Sequence, residues 1–374
     1  MAQRRILLSA GGTGGHLFPA EALAHALSAR GWDVHLVTDR RAARYAGAFP
    51  PDHVHAVDSA TFGSRNPFAV AKSALAIWRG VRQSSALIGK LEPQAVVGFG
   101  GYPTLPPLFA AIRRGVPTII HEQNAVMGRT NRLLAPRVTA IAGGFLKAEG
   151  PHANKIVETG NPVRQAVLEQ AAKPYKAPGK TGSLRLVVFG GSQGARFFSD
   201  SIPEVVAKLP EALRARLKLV QQARPEDEER VRRRYEELGV DAEVSSFFSD
   251  LPARLADCHL VISRSGASTV LELSVLGRPA VLVPLPHAVD DDQTHNARLL
   301  VEAGGAVLKP QKMIEIDSFA AEIGSLLQDG ERLAAMAAGA KSIARTDATV
   351  VLADLTEAIA AGRSAEDWKR RVTS

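Results

Sequence analysis

A short apolar strand, a glycine-rich loop and a helix follow one another twice in this chain, about 180 residues apart. The first copy runs through residues 5–9, then Ala10-Gly-Gly-Thr-Gly-Gly-His16, then a helical pattern to Leu27. The second runs through Leu184–Phe189, then Gly190-Gly-Ser-Gln-Gly-Ala-Arg196 and another helix. Further strands are expected at residues 34–37, 95–99, 118–120, 218–221, 243–247, 259–263 and 280–283. Short, continuously apolar strands alternating with helices imply parallel sheets covered on both faces. Because the pattern restarts, the expected fold is α/β with two doubly wound domains instead of one large sheet. The expected boundaries are 1–164 and 165–349, with the Pro-, Gly- and Lys-rich stretch 173–183 reading as a linker. The helical stretch from residue 347 to 371 has no sheet left to join. The C-terminal helix, about 350–374, is therefore expected to pack back on the first domain.

Charge separates the two halves. Residues 1–164 hold 19 Lys and Arg against 9 Asp and Glu, while the remainder holds 27 against 29. A basic N-terminal half suggests an anionic partner, such as a phosphorylated substrate, a membrane surface or nucleic acid. Hydrophobic residues at 45% and charged residues at 22% exclude disordered and fibrous classes. The single cysteine, Cys258, excludes an intrachain disulfide and a Cys-based metal cluster. The N-terminal apolar stretch is too short for a signal-peptide core. A long charge-free stretch, residues 94–112, carries three glycines and three prolines and makes a poor transmembrane helix. A soluble, unexported protein is expected.

Several motifs offer chemistry. Residues 11–16 could present backbone N–H groups to an anion at a helix start. The dinucleotide fingerprint would need glycine at position 17, where Leu17 stands, which argues against a nicotinamide cofactor. Residues 190–194 repeat the device and add the Ser192 hydroxyl. Ser263-Arg-Ser-Gly-Ala-Ser-Thr-Val-Leu-Glu272 supplies a third strand-to-helix junction, with a helix start near Ser265 or Gly266 and Glu272 suited to a ribose diol. His121-Glu-Gln-Asn124 follows a buried strand and offers either acid–base groups or a polar network fixing the loop. Asn161-Pro-Val-Arg164 ends the first domain with a rigid turn and a phosphate-competent arginine. Asp290-Asp-Asp292 has a spacing that can hold a divalent ion, but reads better as a solvated loop, with Gln293 starting the next helix.

At 100° per residue, residues 68–91 place Val70, Ala74, Ile77, Val81 and Ile88 on one stripe, expected to face the core. The opposite arc carries Lys72, Arg79, Arg82 and Lys90 with Phe68 and Leu75. Cations interleaved with exposed apolar groups suggest contact with an anionic phospholipid surface, through Phe68, Lys72, Leu75, Arg79 and Arg82.

Taken in order, the motifs at 11–16, 121–124, 160–164, 190–196 and 264–267 resemble the MurG family of N-acetylglucosaminyltransferases across nearly the whole chain. The resemblance implies a GT-B fold, two Rossmann-like domains facing a cleft. It implies transfer of N-acetylglucosamine from UDP-N-acetylglucosamine to the muramoyl sugar of lipid I, with inversion, giving lipid II for peptidoglycan. It implies no cofactor and no bound metal for catalysis, and a peripheral location on the cytoplasmic face of the plasma (inner) membrane. Carried over by position, the donor contacts are Thr13, Gly14, Gly15, Asn124, Arg164 and Ser192, the backbone of Phe248, and Ala267, Ser268, Thr269, Val270, Leu271 and Glu272 at the helix start. Gln293 matches a glutamine near the sugar, although the segment before it is one residue longer than the family pattern.

The chemistry requires a base for the acceptor hydroxyl and stabilisation of the leaving diphosphate. His16 and Glu122 are the candidate bases, with His16 favoured because it lies beside the first glycine loop and an imidazole titrates at about 6.5. Arg164, Ser192 and the helix near Ser265 would meet the developing charge. A UDP-sugar epimerase on the same plan and a dinucleotide-dependent oxidoreductase are the alternatives, the latter kept open by Asp39. A nucleic-acid binder is least expected, since the glycine loops would then be idle.

Overall fold

The computed structural model describes residues 4–11, 14–40, 43, 49–60, 66–191, 196–286, 288 and 290–373. They form two compact units, Met1–Arg164 with Thr346–Ser374, and Gln165–Arg345. The first contains strands β1 (Arg5–Ser9), β2 (Asp33–Thr38), β3 (Val54–Ala56), β4 (Ala95–Gly98), β5 (Thr118–Glu122), β6 (Ala140–Gly143) and β7 (Ile156–Glu158). They pair in the order β3-β2-β1-β4-β5-β6-β7, parallel throughout. The second contains β8 (Leu184–Phe189), β9 (Leu217–Gln222), β10 (Asp241–Ser245), β11 (Leu260–Ser263), β12 (Ala280–Leu282) and β13 (Ala306–Leu308), in the order β10-β9-β8-β11-β12-β13 and also parallel. Both sheets are doubly wound and reverse direction between their first and fourth strands. The expected pair of Rossmann-like sheets of the GT-B plan is thus observed. The crevice beyond the carboxyl ends at such a reversal is where doubly wound folds bind ligands.

Strand alternation builds two cores on the first sheet. Ile6 and Leu8 pack with Leu23, Leu27, Leu352, Leu355 and Ile359 on one face. Leu7 points the other way, to Ile88, Leu91 and Leu108. The helix Ala348–Ala360 is therefore part of the first unit's core. Arg30 Nη1 donates to Asp354 and Glu357, each at 2.7 Å, and Trp32 Nε1 donates to Glu357 at 2.7 Å. In the second unit Leu184, Leu186 and Val188 pack with Phe198, Ile202, Tyr235 and Phe319.

The expectations need four corrections here. Residues 173–183 are not a free linker. The Tyr175 hydroxyl donates to the His259 carbonyl at 2.9 Å, and Arg216 donates to the carbonyls of Gly179 and Gly182, both at 2.8 Å. Proline and glycine shape this segment, while arginines from the second unit tie its carbonyls down. Strand β5 runs through His121 and Glu122, because β6 pairs with both. The helix after β11 begins at Ala267, past Ser265 and Gly266.

The fourth correction concerns the helix Pro67–Leu91. It is buried at Gly80, Ser84, Ile88 and Leu91, while Ile77 and Val81 are half-buried. Val70 and Ala74 share the angular stripe but are exposed. Close approach at Gly80 explains where the packing is tightest, since a Cβ there would lie 1.9 Å from the Asp58 carbonyl oxygen. At about 1.5 Å rise per residue, the helix is long enough for its first turns to extend past that anchor. Phe68 (86% exposed), Leu75 (46%) and Trp78 (54%) stand out from this region, with the Arg82 guanidinium 4.9 Å from the Trp78 ring centre.

Candidate functional site

At the reversal of the first sheet, Gly11 follows β1 and Gly100-Gly101 follows β4. The His16 ring, two residues into the helix Gly14–Ala29, lies against all three glycines. Side chains there would crowd it: a Cβ on Gly100 would meet His16 Cε1 at 3.2 Å, and one on Gly11 or Gly101 would meet Cδ2 at 3.3 Å. Gly100 and Gly101 also have φ of 90° and 78°, which L side chains disfavour. His16 is half-buried, and its Nδ1 is buried without a hydrogen-bond partner among the described residues. Burial pushes the imidazole below its ordinary pKa, opposed by the Glu122 charge and by Gln123 and the Phe99 carbonyl. The ring is therefore neutral near pH 7, the form a base requires.

Glu122 sits differently. Its Oε1 accepts from Asn124 N at 3.1 Å and Asn124 Nδ2 at 3.0 Å, and its Oε2 from Gly128 N and Asn131 Nδ2, both at 2.9 Å. The carboxylate is buried and braces the loop after β5. His121 is wholly buried. Its Nε2 donates to the Gly160 carbonyl at 3.3 Å and its Nδ1 accepts from Gln123 Nε2 at 3.1 Å. That pairing needs the neutral ring, and burial pushes its pKa to about 4. Gln123 Nε2 also donates to the Phe99 carbonyl at 2.8 Å, and Asn161 Nδ2 to the Gln123 carbonyl at 2.9 Å. The His-Glu-Gln-Asn segment is thus a loop-fixing network that holds Asn124 in place. Arg164 comes to the same edge, its guanidinium 5.1 Å from the Phe18 ring centre, two residues beyond His16. Phe18 was not anticipated; its position one half-turn after a loop histidine was the available signal.

In the second unit the corresponding reversal lies between β8 and β11. Gly190 N donates to Gln222 Oε1 at 3.1 Å. The helix Ala267–Leu276 has Gly266 at its N-cap and no side-chain cap. Uncapped first-turn N–H groups remain available to an anion. Ala267, Ser268 and Thr269 are half-buried at this end, whereas Val270 and Leu271 are buried, and Val270 N already donates to the Gly266 carbonyl at 3.1 Å. The last two can hold the helix start but offer a ligand neither N–H nor side chain. Glu272 is buried on the same helix. Gln293 Oε1 accepts from Ser265 N at 3.3 Å and Leu285 N at 3.0 Å, while Ser265 Oγ donates to the Gln293 carbonyl at 2.8 Å. With its oxygen so engaged, Gln293 can only donate to a ligand, through its Nε2. Phe248 lies beyond β10, its ring 4.6 Å from the Arg254 guanidinium. Asp291 has φ of 48° and accepts from Thr294 Oγ1 at 2.6 Å, as a turn residue does. Thr13 and Ser192 lie outside the described residues.

Arg264, missed by the sequence reading as a site-shaping residue, is buried and has no carboxylate partner among the described residues. It donates to the Val283 and Pro284 carbonyls at 3.1 and 2.9 Å and to Gln311 Oε1 at 2.7 Å, fixing the loop that precedes Gln293. Burial lowers its pKa without discharging it at neutral pH.

Known proteins resemble this chain along nearly its whole length. The chain is 63% identical over 372 residues, 99% of each chain, to a UDP-N-acetylglucosamine–N-acetylmuramyl-(pentapeptide) pyrophosphoryl-undecaprenol N-acetylglucosamine transferase of Chelativorans sp.. The crystal structure of MurG from Acinetobacter baumannii superposes with a TM-score of 0.75 at 27% identity, covering 95% of this chain and 99% of that one. A putative UDP-N-acetylglucosamine 2-epimerase from Listeria monocytogenes reaches a TM-score of 0.69 at 14% identity, covering 98% and 99%, and shares the fold alone. Family models match residues 6–143 as a glycosyltransferase family 28 N-terminal domain and residues 185–351 as the C-terminal domain of that family. The chain belongs to glycosyltransferase family 28.

Proposed function

We propose that this chain transfers N-acetylglucosamine from UDP-N-acetylglucosamine to the muramoyl sugar of lipid I, with inversion, giving lipid II. The observation that carries the reading is the 63% identity, over 99% of each chain, to a transferase named for those substrates. His16 is the base: a neutral imidazole in a glycine slot takes the proton of the acceptor hydroxyl as that oxygen attacks the anomeric carbon. Glu122 is the brace, since its four hydrogen bonds leave it poorly placed to take a proton. The first N–H groups of the helix Ala267–Leu276, with Ser192 and Arg164, receive the charge that gathers on the departing UDP. Glu272 takes the ribose, and Gln293 donates to the sugar. Asn124, Thr13, Gly14, Gly15 and the Phe248 backbone complete the donor contacts.

The acceptor is lipid-linked, and no described helix is long and apolar enough to cross a membrane. The exposed end of the helix Pro67–Leu91 supplies a peripheral docking face, with Phe68, Leu75 and Trp78 among Lys72, Arg79 and Arg82. The membrane is the cytoplasmic face of the plasma membrane, where the nucleotide sugar and the lipid carrier meet. Incubating the purified chain with UDP-N-acetylglucosamine and a short-chain lipid I tests the reading. Formation of a β-linked disaccharide that persists in EDTA is expected; hydrolysis or epimerisation of the donor without transfer overturns it.

A further inference from the structure

We propose that Asp33, His35 and His53 form a binding site for a borderline divalent metal ion such as Zn²⁺, at the end of the first sheet away from the glycine loops. Asp33 opens β2 and His53 precedes β3, so the cluster lies at the amino ends of strands in a parallel sheet whose glycine loops follow the carboxyl ends of β1 and β4. One ligand atom from each residue falls within 4.8 Å of the other two. Asp33 Oδ1 is 3.3 Å from His35 Nε2 and 3.7 Å from His53 Nδ1. With metal–ligand bonds of about 2.0–2.1 Å, tetrahedral neighbours are about 3.3–3.5 Å apart, so the Asp33–His35 pair already has that spacing, the Asp33–His53 pair lies a few tenths of an ångström beyond it, and the His53 ring must turn to complete the set. Two imidazoles with one carboxylate favour Zn²⁺, Co²⁺ or Ni²⁺ over Mg²⁺ or Ca²⁺.

The surroundings orient the ligands. Arg5 Nε donates to Asp33 Oδ2 at 3.0 Å and Arg5 Nη1 to the Leu91 carbonyl at 3.1 Å, leaving Oδ1 turned to the histidines. His35 Nδ1 lies 3.1 Å from His55 Nε2, so a proton on Nδ1 donates there and frees Nε2 for the ion. His53 must pivot: its ring stacks on His35 with centres 4.3 Å apart, and its Nδ1 lies 3.0 Å from the Val34 carbonyl. Exchanging that hydrogen bond for a metal bond limits affinity. The His53 side chain is 28% exposed and borders a depression of about 360 Å³ shared with His25, Ser28 and Trp32, which gives the ion entry and a water for its fourth position. An ion held there clips the turn Pro51–His53 to β2 and stiffens the sheet edge without touching the transfer chemistry.

The untagged full chain, stripped of metal and titrated with Co²⁺, tests the site. One ion per chain is expected, with the intense visible bands of tetrahedral Co²⁺, displaced by Zn²⁺, and a higher melting temperature with either ion. His53→Ala, in a surface turn, should keep the parent melting temperature without metal and lose the bands. His55→Gln should retain them but weaken binding by about 10–100-fold, as loss of an orienting partner does. Absence of tetrahedral bands in the parent, or bands unchanged in His53→Ala, overturns the proposal.

Discussion

Four donors converge on the Glu122 carboxylate from residues 124, 128 and 131, and among the described residues none converges on the inward nitrogen of His16. The two candidate bases should therefore fail in different ways. His16→Ala should lower kcat by about 10²–10⁴-fold and leave donor affinity and melting temperature nearly unchanged. Glu122→Gln places an amide among N–H donors and should cost about 1–3 kcal/mol of stability, with a smaller loss of kcat. Equal kcat losses without destabilisation would return the proton to Glu122. Because the His16 pKa is lowered, the rate should fall with acid only below about pH 6.5. His121 links pH to stability by the same sign. Unfolded, it takes a proton as pH falls through about 6.5; folded, it resists until about 4, so stability drains across that window. Denaturant midpoints at pH 7 and pH 5 read this out, and His121→Gln should flatten the dependence. The residue types at 121–124 were legible as polar groups worth burying only for a purpose. Their division of work was not, because the partners of Glu122 arrive from the following loop and helix, which only the folded chain brings together.

Elements whose signal is local were readable, and those whose signal is tertiary were not. Strand β8 has the bounds expected of it, since six apolar-rich residues run straight into a glycine loop. Strands β3, β6, β7 and β13 have three or four residues each and went unseen, because strands that short leave little periodicity. The helix Pro67–Leu91 shows both sides. Its existence, its basic arc and the exposure of Phe68 and Leu75 follow from the wheel, whereas the exposure of Val70 and Trp78 follows from where Gly80 lets the helix dock. Burying two large side chains in a lipid interface yields about 3–5 kcal/mol, and each nearby cation adds about 1 kcal/mol on an anionic leaflet. These magnitudes suit reversible attachment. Phe68→Ser with Trp78→Ser should weaken co-sedimentation with anionic vesicles and slow turnover of embedded acceptor, yet spare a short soluble acceptor. Vesicle binding equal to the parent's would move the docking face elsewhere and leave the basic excess of the first 164 residues to another partner.

On the scale of the molecule, the chain leaves the first unit at Arg164 and re-enters it at Thr346. The return is a structural commitment, because Leu352, Leu355 and Ile359 lie in the same core as Ile6 and Leu8. The repeated strand–loop–helix made two sheets legible. The return was legible only by elimination, since the last helices had no strand left to cover. Each unit has its own core, and the donor contacts that would clasp the nucleotide belong mostly to the second. Two perturbations should therefore separate under hydrogen exchange. Leu355→Ala removes a fully buried side chain and should cost the first unit about 2–5 kcal/mol. Amides of β1, β2 and β4 should then exchange faster, while those of β8 and β11 hold. UDP should do the reverse, slowing exchange in β8, β11 and the helix Ala267–Leu276, because a ligand stabilises the state that binds it. NAD should protect neither sheet. Faster exchange in both sheets after Leu355→Ala would mean that the two cores open together, and protection of the first sheet by UDP alone would move the nucleotide to the unit that carries His16.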